Sequence, residues 1–134
     1  MNRLLSDASL VTLMPIRDMD RAIKFYTKAL GGKMEMRGEG DMKNLWASVN
    51  VAGCDVWLIV PEKQEKRTLS YSAFLVKDIR GTVAEMRRRG VKFTRAERAN
   101  KKTKVEGPIS HDEWGSAAFF KDSEGNLLML WQNP

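Results

Sequence analysis

The chain carries one cysteine, Cys54, and one histidine, His111, among its 134 residues. A lone thiol excludes an internal disulfide and cannot by itself build a cysteine-based zinc site. It also makes a reducing cytoplasm the expected setting. No stretch approaches the roughly 18 consecutive apolar residues that a membrane helix needs. The opening MNRLLSDASL lacks the apolar core of a secretory signal. Low-complexity segments are absent. What is present is an ordinary soluble composition, 43% hydrophobic, at a length suited to one compact domain or to two half-domains sharing a core.

The charge is unbalanced, with 23 basic against 17 acidic residues and a formal net charge of +6. Much of the excess lies in EKQEKR at 62–67, MRRRG at 86–90 and TRAERANKKTK at 94–104. These runs read first as solvated loops and a wet helix face. They are not interleaved with aromatics and match no recognised binding motif, so no nucleic-acid partner is expected. The same charge argues against a polycationic ligand and favours a neutral or anionic one.

A repeat organises the chain. IRDMDRAIKFYTKALGGKM at 16–34 returns as VKDIRGTVAEMRRRGVKF at 76–93. Asp18 matches Asp78 and Ile23 matches Val83, both at an offset of 60, and Lys33 matches Lys92 after one deletion. A weaker match pairs Gly53 with Gly125, at an offset of 72. Two copies of one unit folded against each other are therefore expected, module one at about 9–61 and module two at about 69–132, in a single domain. In module one, Leu10–Ile16 reads as a buried strand, Asp18 as a helix cap, 19–30 as a helix and Gly31 as its left-handed stop. Met34–Arg37 is a short strand, and 44–51 with 54–60 form a hairpin turning at Ala52-Gly53. In module two, 70–76 is a strand, Asp78 a cap, 79–89 a helix and Gly90 its stop. Lys92–Arg98 is then a strand, followed by a long basic loop to Ser110, and 116–121 with 127–131 form a hairpin. Asp122, Glu124 and Asn126 shape its turn. Each copy reads β-α-β-β-β.

Three segments in this order, IRDMDRAIKFYTKALGGK, VKDIRGTVAEMRRRGVKF and WGSAAFFKDSEGNLLMLWQ, resemble the vicinal oxygen chelate superfamily of glyoxalases, bleomycin-resistance proteins and extradiol dioxygenases. The resemblance covers nearly the whole chain. It implies an α+β fold in which two β-α-β-β-β modules form a curved, open mixed sheet around a cavity, and a homodimer. It also implies a divalent metal held from four strand positions, two per module. These fall here on Val11, Trp57, Tyr71 and Met129. The repeat offsets agree, since Val11 and Tyr71 are 60 apart and Trp57 and Met129 are 72 apart. Valine and indole offer no coordinating lone pair, and thioether is a weak, soft donor. No metal and no cofactor is therefore expected.

Strand alternation names the other residues on the same face. They are Leu13, Asp55, Ala73 and Trp131, with Trp46 and Phe120 on intervening strands. The expected lining is apolar and aromatic, with the Tyr71 hydroxyl and Asp55 as polar handles, a composition suited to a small organic molecule. The alternative for these rings is plain core. His111, with Asp112 and Glu113 beside it in the loop before the next strand, is a weak candidate for a general base at the cavity mouth. The expected function is a metal-free binding protein for a planar organic compound or antibiotic, with no membrane partner. The competing expectations are a lyase, isomerase or dioxygenase relative whose metal is displaced or absent, and a regulatory module whose cavity is packed shut.

Overall fold

The computed structural model describes residues 4–64 and 72–134. After a 3-10 turn at Leu4–Asp7, module one runs β1 (Thr12–Pro15), α1 (Met19–Lys24), β2 (Lys33–Arg37), β3 (Trp46–Val51) and β4 (Cys54–Ile59). Module two runs β5 (Ala73–Leu75), α2 (Ile79–Arg88), β6 (Lys104–Glu106), β7 (Ile109–Asp112), β8 (Gly115–Lys121) and β9 (Leu127–Gln132). The strands form two mixed sheets, ordered β1-β4-β3-β2 and β5-β9-β8-β7-β6. In each, the opening strand lies parallel to the last one and every other pairing is antiparallel. The fold is α+β, with the paired-module plan that the repeat implies.

Both helices begin where the aspartates stand. The Asp18 carboxylate accepts from the Arg21 N–H, and Asp78 accepts from the Gly81 N–H, each at 3.1 Å. These bonds satisfy backbone donors that the first turn leaves free. Past Lys24 the first helix loosens into a π-type turn over Phe25–Ala29, then stops at Gly31 with φ +78°. The second stops at Gly90 with φ +87°. Ile79, Val83 and Met86, at helical spacing, bury against Ala118, Phe120, Leu128 and Leu130. Ala22 and Tyr26 seal the corresponding face of module one.

The turn between β3 and β4 needs positive φ at both central residues, and both have it, Ala52 at +54° and Gly53 at +80°. A β-carbon in this region costs roughly 1 kcal/mol, whereas asparagine tolerates it. Ala52→Asn is expected to stabilise the protein by about 1 kcal/mol, read as a higher urea midpoint at unchanged slope.

Module two departs from the expected plan after α2. Lys92–Arg98 forms no strand, only the isolated bridge of Phe93 to Phe120. The expected loop to Ser110 instead holds the hairpin of β6 and β7, closed by Gly107-Pro108 with Gly107 at φ +59°. Arg98 and Thr103 organise the approach. The Thr103 hydroxyl accepts from the Ala99 and Asn100 N–H groups and donates to Asp112, and the Arg98 guanidinium donates to the Thr103 carbonyl.

Polar side chains of the β8–β9 turn tie the modules together. Asp122 accepts from the Tyr26 hydroxyl at 2.7 Å, and Asn126 donates to the Pro15 carbonyl at 2.7 Å. Glu124 accepts from the Arg17 and Asp18 N–H groups and from the Arg21 guanidinium. Burial of Tyr26, with Asp122 beside it, holds its phenol well above the usual range.

Candidate functional site

Each sheet has one face against its helix and one face without a helix. The alternation is visible in the burial: Val49, Val56 and Leu58 are sealed, while Trp57 between the last two is 37% exposed. On the open face of module one, Leu13 stands in register with Trp57, and Ser48 lies opposite Trp57 on the other side. Trp46, opposite Ile59, reaches over to Trp57, and the two indoles meet edge to face with centroids 5.9 Å apart at 84°. That is the geometry aromatic quadrupoles prefer. Asp55 lies opposite Asn50, whose amide donates to it at 3.3 Å. Val11 stands half-buried just ahead of β1.

On the open face of module two, Ala73 is in register with Met129 and Leu75 with Trp131. Phe119 and Ala117 lie opposite the same two residues on the other side. Trp131 is fixed at both ends. Its indole N–H donates to Asn133 at 2.9 Å, and its six-membered ring packs on Gly115, where any β-carbon would fall 2.5 Å from it. Leu13 and Leu75 are 55% and 73% exposed, so each face offers an apolar, aromatic row that the described residues cover only in part.

Tyr71 lies outside the described residues. Phe120 is not on this face. It is fully buried on the helix side, near Phe74 and Phe93. The reason is register: Lys121 opposite Leu127 fixes Phe120 opposite Leu128 and gives the open position to Phe119. His111 is likewise not in a loop: it lines a small surface pocket with Lys104 and Trp114, apart from the row of Trp57 and Met129. It sits on β7, opposite Lys104 and Ser116, on the face that Ile109 turns towards α2. Its Nε2 is 2.8 Å from Glu106 and its Nδ1 2.6 Å from the Ser116 hydroxyl. Glu106 in turn accepts from the Arg80 guanidinium, and Arg80 and then His111 hold that carboxyl below its ordinary value. Both ring nitrogens are engaged in a surface network tied to α2.

The donor set at the four implied metal positions does not fit a divalent ion. Val11, Trp57 and Met129 provide no oxygen or imidazole nitrogen, and among the described residues no three of His, Cys, Asp and Glu converge. Cys54 is exposed at the start of β4.

Paired modules of this plan, each with a helix on one face and a partly exposed row of side chains on the other, define the structural class of the protein. Residues 9–130 match the model of the glyoxalase/bleomycin resistance protein/dioxygenase superfamily, and the chain belongs to that family. It is 26% identical over 119 residues to the uncharacterised protein YetH of Bacillus subtilis, covering 86% of this chain and 89% of that one. Among solved structures it is similar in fold to the fosfomycin resistance protein FosX of Listeria monocytogenes, with a TM-score of 0.72 at 14% identity over 95% of this chain and 92% of that one. It is also similar to TnmS3, an antibiotic binding protein from a Streptomyces species, with a TM-score of 0.64 at 24% identity over 94% and 97%.

Proposed function

We propose that the protein is a metal-free binding protein for a small, planar organic compound, neutral or anionic, of the kind an antibiotic presents. The observation that carries this reading is the partly exposed row of Leu13, Trp57 and Trp46 on one sheet and Ala73, Met129 and Trp131 on the other, at and around the positions where the family places metal ligands. Aromatic walls with few polar groups recognise flat apolar bodies. Asp55 is the polar handle that the described residues supply. The antibiotic-binding character of TnmS3 is consistent with it, and the net charge of +6 favours a neutral or anionic guest.

The partner is a second copy. Within one chain the modules are joined by helix ends and by the β8–β9 turn. The described residues cover the open sheet faces only in part. Module two of a partner resembles module one's own companion in plan, so a homodimer can lay one open face over the other and close a cup around the ligand.

Native mass spectrometry of freshly purified protein tests both halves. The expected species is a dimer carrying an organic adduct and no divalent metal; a stoichiometric metal, or a bare monomer, defeats the reading. With anthracene-2-carboxylate as a flat anionic probe, tryptophan emission should be quenched saturably. Trp57→Ala should weaken that binding about thirtyfold, the effect of an anchor worth roughly 2 kcal/mol.

A further inference from the structure

On the helix side, between the end of the first helix and α2, the fold forms an open cavity of about 590 Å³. Small-molecule sites fall in the range of roughly 300–1,000 Å³. The floor is apolar and already fixed by the core: Phe74, Phe120 and Leu130 rise from the second sheet, and Val51 and Leu30 close it from module one. Phe120 and Leu130 are 0% and 2% exposed and give the floor a rigid backing, while the half-buried Phe74, Val76 and Leu30 present the apolar surface a guest would meet.

The rim has a different chemistry. Asp78, Thr82, Glu85 and Arg89 project along one side of α2 at helical spacing. Among the described residues Arg89 is the only cation in the lining, and it is already engaged, its Nε on Glu85 at 3.2 Å and its Nη1 on the Ala29 carbonyl at 3.4 Å. It reaches from module two to module one across the mouth. The Thr82 hydroxyl donates to the Asp78 carbonyl at 2.7 Å. Glu85 is paired with both Arg88 and Arg89, and one Asp78 oxygen caps the Gly81 N–H, so the acceptor the rim offers an incoming molecule is the second oxygen of the Asp78 carboxylate. An anion would be repelled there. A molecule that fills the floor and presents one N–H or O–H would meet a matching partner.

The geometry points to a second small-molecule site in this cavity, for a compact, uncharged, mainly apolar molecule carrying one N–H or O–H donor, with Arg89 as a strap over its mouth. It does not rest on the sheet-face reading. The two sites share no residue and lie on opposite faces of the second sheet, and an anion is accepted by the sheet-face site alone.

The test uses N-phenyl-1-naphthylamine, an uncharged aromatic with one N–H, whose emission rises in apolar surroundings. With the full chain, saturable enhancement at one site per chain is expected. Thr82→Phe, which fills the mouth from a half-buried helix position, should weaken it about tenfold or more. The same variant should leave quenching by anthracene-2-carboxylate as in the wild type, so failure of one site is distinguishable from failure of the other. Amide shift mapping provides the second reading, expected at Val51, Gly81 and Leu130. Absence of saturable enhancement, undiminished binding in Thr82→Phe, or shifts confined to strand residues around Trp57 and Met129 would each overturn the assignment.

Discussion

Phe120→Ala is expected to cost roughly 3–5 kcal/mol of unfolding free energy, and Phe119→Ala about 1 kcal/mol or less. The two rings are neighbours on β8 and chemically identical, so the difference isolates the face each occupies. Phe120 is fully buried, its ring 5.6 Å from that of Phe93 and 6.3 Å from that of Phe74, and it carries the bridge to Phe93 that anchors the segment after α2. Phe119 stands on the open face opposite Met129, half-exposed. Removing the Phe120 ring would also enlarge the 590 Å³ cavity whose floor it forms, so the surroundings have little to collapse onto. Against a typical total of about 5–15 kcal/mol, such a loss brings the native state close to its limit. Urea midpoints of the two variants measure it. Equal costs, or a larger cost at Phe119, would mean that β8 is shifted by one residue.

That one-residue question marks where the sequence stops being legible. The helices, their Asp18 and Asp78 caps, the Gly31 and Gly90 stops and the Ala52-Gly53 turn rest on local chemistry, and each sits where its residues predict. The face of β4 was readable by alternation, because Val56 and Leu58 are core residues beside the exposed Asp55 and Trp57, whereas β9 is apolar on both faces and owes its assignment to the offset of 72 that matches Met129 with Trp57. On β8 the run Ala117, Ala118, Phe119, Phe120 is apolar on both faces, and alternation carries no information there. The signal that was available is the turn: counting outward from Lys121 opposite Leu127 assigns Phe119 to Met129's face. The hairpin of β6 and β7 hid in a basic segment because its strands are short and β6 is the edge of its sheet, where lysine and glutamate are common; only Gly107-Pro108 announced it. The helix-side cavity was not legible at all, since it is made by the relative placement of two modules that no local pattern encodes.

The same holds for Glu124, which the sequence offers only as part of a turn. Glu124→Gln is expected to destabilise the protein by roughly 3 kcal/mol near neutral pH and to flatten its acid unfolding limb. The carboxylate is enclosed and accepts from the Arg17 and Asp18 N–H groups at 2.8 and 2.7 Å, from Arg21 Nε at 2.6 Å and from the Ser123 hydroxyl at 2.9 Å. Burial works against the charge, but Arg21, then the Asp18 and Arg17 amides and Ser123, outweigh it and bring the pKa down to about 2. A depressed carboxylate stabilises the fold where it is ionised in both states. Its contribution is thus complete above about pH 4.5, the unfolded value, and disappears as pH falls towards about 2. The glutamine variant lacks this titration, so its stability should change less than the wild type's across that window. Because Glu124 belongs to module two and its donors to module one, the variant also loosens the joint between the modules. Hydrogen exchange should show this as faster opening at the Arg17 and Asp18 amides, with α2 protection reduced only by the global loss. If wild type and Glu124→Gln lost stability in parallel between pH 4.5 and pH 2, the carboxylate would not be the ion that holds the modules together.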